Sequence, residues 1–176
     1  ANRMGWVDIL DRLLEYGVDL ESTDEQGSTA LLIACAGQRI DFVDRLLNHG
    51  ANPNVLNKIG NSPLKYACVL GNAAIFDRLI LHGADINIQF DNGGTYLCVA
   101  AVNGKREIID RILALGYDIN TAFGPKGNTT LIEIAQENRF EAVKVFLEFN
   151  PDTKICNLEG KTAIDAALER RIKKLI

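Results

Sequence analysis

The chain has 176 residues, 47% of them hydrophobic and 24% charged, and a formal net charge of −4. That composition excludes a disordered chain, because enough apolar surface is available to offset the ordering entropy. The acidic balance argues against binding a phosphate backbone, which takes clustered Lys and Arg. No run of 18 apolar residues occurs, so no membrane insertion is expected.

The predicted elements, taken in chain order, repeat themselves. Gly27-Ser28-Thr29, Gly60-Asn61-Ser62, Gly93-Gly94-Thr95, Gly127-Asn128-Thr129 and Gly160-Lys161-Thr162 follow one another at 33, 33, 34 and 33 residues. Gly17, Gly50, Gly83 and Gly116 form a second series with a spacing of 33, which Asn150 continues. Gly5, Gly71 and Gly104 form a third, with Gln38 and Asn138 in the gaps. A fixed period of this size is the mark of a repeat architecture.

Each unit reads as two helices. Thr29, Ser62, Thr95, Thr129 and Thr162 precede apolar runs, as hydroxyl N-caps do. Small residues Ala34, Ala67, Ala100, Ala135 and Ala166 let neighbouring helices approach. The second helices are Asp41–Leu47, Ala74–Ile80 and Glu107–Leu113, each with an apolar face and with Asp and Arg on the other side. Gly50, Gly83 and Gly116 stop them. The fourth full unit is irregular, with one extra residue around Phe123-Gly124-Pro125 and Pro151-Asp152-Thr153-Lys154 after its second helix.

Ser62-Pro63-Leu64-Lys65-Tyr66-Ala67, Gly83-Ala84-Asp85-Ile86-Asn87 and Gly50-Ala51-Asn52-Pro53-Asn54 carry a specific resemblance. The chain is similar throughout its length to the ankyrin repeat family. The usual His after Leu is absent, replaced by Leu32, Lys65, Cys98, Ile132 and Asp165. The resemblance implies an all-α ankyrin-repeat solenoid of stacked helix-turn-helix units joined by β-turn loops. The single domain 1–176 divides into a partial N-terminal repeat at 1–23, full repeats at 24–56, 57–89, 90–123 and 124–156, and a C-terminal capping repeat at 157–176. The start inside a repeat suggests a piece of something longer, the alternative being an irregular N-terminal cap. Leu31, Leu64, Leu97 and Leu131 are expected in the core.

Candidate chemistry is thin. His49 and His82 fall 33 apart, each before a terminating glycine. Equivalent residues of adjacent repeats sit roughly 8–10 Å apart, too far to share a metal at about 2 Å. They read instead as side chains at helix C-termini. Cys35 and Cys68 read as core, and Cys98 and Cys156 as the more accessible thiols. The four cysteines lack a C-x-x-C pair, which fits reduced thiols in a cytoplasmic protein. Gly160-Lys161-Thr162 is not a phosphate loop, because Ile155 stands where the first glycine belongs. No catalytic constellation, metal site or cofactor is expected.

The family resemblance implies binding on a concave face made of loop tips and first helices. The positions mapped there include Glu25, Gln26, Ser28, Ala36 and Gly37, with Lys58, Ile59, Asn61, Val69 and Leu70 in the next unit. Asp91, Asn92, Gly94, Val102 and Asn103 follow, then Pro125, Lys126, Asn128, Gln136 and Glu137. The last unit adds Leu158, Glu159, Lys161, Glu169 and Arg170. The sharpest set is Ile59, Asn61, Tyr66, Val69, Leu70, Phe90, Asp91, Asn92, Tyr96, Val102, Asn103, Lys126 and Glu137, apolar at its centre and charged at its ends. Gly37, Gly94 and Gly124 fall on or beside this surface. The expected function is non-catalytic, protein–protein binding of a partner protein or peptide by a monomer. The alternatives are a targeting segment of a larger enzyme or channel, or a free-standing inhibitor of the immunity type. By the same analogy Asn54, Asn87 and Asn120 occupy a position that asparaginyl hydroxylases modify in some relatives.

Overall fold

The computed structural model describes residues 3–91, 93–167 and 170–176, without the side chains of residues 3–5 and 170. In the described residues helices dominate, with one short hairpin. The chain divides into two compact units. The first takes Ala1–Ala67 with Asn72–Ile86, and the second takes Cys68–Gly71 with Asn87–Ile176.

In the first unit the helices are α1 (Arg3–Glu15), α2 (Ala30–Ala36), α3 (Ile40–Asn48), most of α4 (Pro63–Leu70) and α5 (Ala73–Leu81). α3 packs on α2, on α1 and on α5. The core is Leu31, Leu32, Val43, Leu46, Leu47, Leu64, Ile75, Phe76 and Leu79. The polar side of the second helices is also stitched together. Arg45 of α3 pairs with Asp11 of α1, and Arg78 of α5 pairs with Asp44 of α3, in each case an aspartate 34 residues back in the second helix of the preceding repeat. The Asp and Arg that sequence patterning puts opposite the apolar face therefore form a ladder between helices on a partly exposed surface.

The second unit holds α6 (Tyr96–Val102), α7 (Arg106–Ala114), β1 (Ala122–Phe123), β2 (Asn128–Thr129), α8 (Thr130–Gln136), α9 (Phe140–Leu147), α10 (Ala163–Ala166) and α11 (Arg170–Lys173). α6 packs on α7, α8 and α9, while α8 packs on α10 and α9 on α11. Tyr96, Leu97, Ile108, Ile109, Ile112, Leu131, Ile134, Val143 and Phe146 fill this core. The irregular loop of the fourth repeat is the antiparallel hairpin β1–β2, with Ala122 opposite Thr129 and Phe123 opposite Asn128. It is the one regular β element in the described residues of an otherwise all-α chain.

Local chemistry explains the helix boundaries. Each first helix begins at a hydroxyl that accepts a backbone N–H three residues on: Thr29 from Leu32, Ser62 from Lys65, Thr95 from Cys98, Thr129 from Ile132 and Thr162 from Asp165. Between first and second helix the chain turns through a left-handed residue. Gln38 (φ 54°) and Asn138 (φ 55°) take that conformation without being glycine. The periodic place, and not the residue type, dictates the backbone there.

Candidate functional site

The loop tips are held by a repeated polar device. Asn57 is buried, and its Oδ1 accepts the backbone N–H groups of Ile59 and Asn61 at 3.2 and 2.9 Å. Asn157 does the same for Glu159 and Lys161, both at 3.0 Å. Each also reaches back to the preceding repeat: Asn57 Nδ2 donates to Ser28 Oγ at 3.4 Å, and Asn157 Nδ2 to Asn128 Oδ1 at 2.8 Å. Such satisfied buried amides fix a tip in one conformation. Ser28 and Asn128, expected on the binding surface, are buried because they receive these bonds.

Of the predicted surface residues, Ile59, Asn61 and Tyr66 belong to the first unit. Ile59 is an exposed apolar tip, and Asn61 Nδ2 donates to the Tyr66 hydroxyl at 3.2 Å. The tip and the first helix beneath it are thus tied together. The exposed Ile33 on α2, which no sequence signal separated from the apolar helix interior, also lies in this unit.

In the second unit Leu70, Asp91, Asn103, Lys126 and Glu137 are exposed, and Val69, Phe90 and Val102 are half-buried. Asn92 lies outside the described residues, as do Glu169 and the side chain of Arg170. Tyr96 is a correction. It is 1% exposed, and its ring meets Phe90 edge-on with centroids 5.1 Å apart. The hydroxyl-capped first helix turns Tyr96 inward, so it supports Phe90 from below. Asn103 Nδ2 is spent on the Val99 carbonyl at 2.8 Å, and Glu137 accepts from Arg139 at 3.2 Å.

Lys126 opens onto a groove of about 300 Å³ that also includes Gln136, Asn157, Glu159, Lys161, Asp165 and Ala166. Lys161 Nζ bonds Glu159 at 2.9 Å, and Lys126 Nζ stands 4.0 Å from the same carboxylate. The hydrogen bond from Lys161, then the two positive charges, hold the Glu159 carboxyl below the usual carboxylate range. Asp165 is likewise lowered, by the hydroxyl and backbone N–H of Thr162. The groove offers ammonium, amide and carboxylate groups side by side, a lining suited to a polar peptide rather than to one charge sign.

Gly124, placed near the binding surface by its sequence position, has a packing role. A Cβ on Gly93 would lie 2.3 Å from the Gly124 Cα, so the two backbones touch directly. Asn54 is similarly structural: its Oδ1 accepts the Asp85 N–H at 2.9 Å and its Nδ2 donates to the Gly83 carbonyl at 3.0 Å. Asn120 accepts the Asp152 N–H at 2.8 Å.

The thiols need one correction. Cys98 is buried alongside Cys35 and Cys68, and Cys156 alone is exposed. Burial pushes Cys35 up to about 12 and raises Cys68. Burial, then the charges of Glu133 and Glu137, push Cys98 up to about 12. None of the three is a nucleophile at neutral pH. His49 and His82 each place Nδ1 on the carbonyl of an arginine four residues back, Arg45 at 2.9 Å and Arg78 at 2.8 Å, as expected of rings at helix C-termini. Among the described residues no group of three or more His, Cys, Asp or Glu is placed to hold a metal ion, and no helix is long and apolar enough to cross a membrane.

Paired helices recurring with one period, capped and turned in the same way, define a helical repeat protein. The chain belongs to the ankyrin repeat family: the family model described as ankyrin repeats (3 copies) matches residues 1–90 and 97–176. Ankyrin repeats are in general protein–protein interaction modules and are typically non-catalytic. Among curated proteins none matches the chain.

Proposed function

We propose that this chain is a non-catalytic module that binds a protein or peptide, as a monomer in the cytoplasm, through the concave face of loop tips and first helices that its family uses. The observation that carries the reading is Leu70, a large apolar side chain left exposed at the end of α4, with Val69 beside it half in solvent. Val102, half-buried, ends α6 in the same unit, and Asp91, Asn103 and Lys126 add polar exposure. Apolar anchors with a polar rim are how a contact gains affinity and register. The repeats 24–56, 57–89, 90–123 and 124–156, between the partial repeat 1–23 and the cap 157–176, would each lend the same few positions.

The test is one variant carrying Val69→Ser, Leu70→Glu and Val102→Glu. A partner captured by the unaltered chain is expected to bind this variant at least about tenfold more weakly. Unchanged affinity, with cooperative unfolding retained, would overturn the placement.

A further inference from the structure

In the second unit, one carboxylate stands where the other repeats keep an apolar or aromatic side chain. Four residues after the hydroxyl cap come Ile33, Tyr66, Val99, Glu133 and Ala166 in turn. Glu133 is half-buried, and its Oε2 accepts Asn128 Nδ2 at 2.7 Å. The equivalent tie in the second repeat runs from Asn61 Nδ2 to the Tyr66 hydroxyl at 3.2 Å. A neutral oxygen is enough to make that bond, so the fold does not call for the charge of Glu133. Among the described residues no Lys or Arg pairs with it. Arg139 is engaged by Glu137 at 3.2 Å, and both Lys161 and Lys126 lie against Glu159, at 2.9 and 4.0 Å. A partly desolvated carboxylate without a counter-charge is costly, and a cation supplied from outside offsets that cost.

The neighbouring helix says what else belongs there. α8 packs on α6, whose Val99 and Val102 remain half in solvent. Besides burial, the charges of Glu133 and Glu137 raise the Cys98 thiol on α6, so both carboxylates act across the seam between the two helices. Gln136 accepts from the same Asn128 amide at 3.4 Å and lines the 300 Å³ groove, which leaves room beside Glu133. Val99 and Glu133 hold equivalent places in adjacent repeats, roughly 8–10 Å apart. An extended chain advancing about 3.3 Å per residue covers that distance in about three residues.

We propose that the α6–α8 strip binds an extended segment of a partner protein that lays an aliphatic side chain over Val99 and Val102 and, about three residues along, sets a lysine or arginine on Glu133. The proposal rests on the concave-face reading above and adds the chemistry of the occupant. The valines contribute burial, while the single carboxylate fixes direction and register, since a reversed or shifted segment would set its cation on the valines.

The experiment selects a display library of short random peptides against the purified chain. Recovered peptides are expected to share an aliphatic residue with Lys or Arg about three residues from it. Glu133→Gln keeps an oxygen for Asn128 and is expected to weaken their binding at least about tenfold. Glu133→Lys is expected to select peptides with Asp or Glu in place of the basic residue. Cooperative unfolding of each variant is the control. Equal affinity for Glu133→Gln, peptides without a shared basic residue, or no recovered peptide would each overturn the proposal. Peptides indifferent to Glu133→Gln but lost on the variant carrying Val69→Ser, Leu70→Glu and Val102→Glu would overturn it and leave the concave-face reading standing. Peptides indifferent to both would overturn both.

Discussion

Leu46 and Leu13 occupy the same place in the repeat, two residues before the end of a second helix, yet one is core and the other faces solvent. Both helices carry the same apolar pattern with Asp and Arg opposite. Patterning states which face a helix wants to bury; a neighbour must supply the cover. α3 lies among α1, α2 and α5, whereas among the described residues only α3 lies extensively against α1. In a stack of repeats, burial is thus a property of position in the row.

Truncation tests that contrast most strongly. Leu46→Ala is expected to cost about 2–5 kcal/mol, through lost transfer energy and the cavity left behind. Leu13→Ala should stay within about 0.5 kcal/mol, as for a side chain that leaves no cavity. Denaturant midpoints at unchanged slope measure both, and equal losses would break the comparison.

The same logic separates two loop-tip glycines. Gly60 and Gly93 hold equivalent places with φ of 70° and 78°, but only Gly93 has a backbone against it. Gly60→Ala should cost roughly 1–2 kcal/mol of left-handed strain. Gly93→Ala adds the collision with Gly124 and should cost about 2–4 kcal/mol in all. Thermal unfolding of the two variants checks the difference.

A gain is expected at Gln38, where the turn takes glycine in other repeats. Gln38→Gly should stabilise by roughly 1 kcal/mol, because a left-handed residue loses its side-chain penalty. A loss instead would mean that the contact of Gln38 Oε1 with Asn72 Nδ2, at 3.4 Å, outweighs the strain.

The smallest effect distinguishes the last first helix from the others. Among the first helices α10 alone has a full capping box, with Asp165 accepting the Thr162 N–H at 3.0 Å. Asp165 has its pKa lowered in the folded chain. Its contribution is therefore complete above the unfolded value of about 4 and is lost as pH falls through the folded value. Acidification from about pH 5 to about pH 2 should loosen α10 less in Asp165→Ala than in the unaltered chain. Hydrogen exchange at Asp165 to Ala167 provides the readout.

Much of the fold was legible in the residues. The period, the hydroxyl caps, the helix stops and the buried Leu31, Leu64, Leu97 and Leu131 follow from local rules that act within a few residues. Left-handed turns were legible even at Gln38, because the period marks the place. The surface was less so. Tyr96 was misread because a first helix of seven residues turns each side chain by position, and the strength of the Phe90 contact is not written locally. Ser28 and Asn128 went inward because amides 29 residues away reach back to them.

By itself the sequence determined the repeat, its register and the residues that start and stop each helix, since these depend on backbone chemistry at neighbouring positions. Only the tertiary structure decided which apolar faces are covered, which arginines find an aspartate and which glycines touch another backbone. Those outcomes depend on the element stacked alongside, and for α1 that element is absent from the described residues, which leaves Trp6, Ile9 and Leu13 open to solvent.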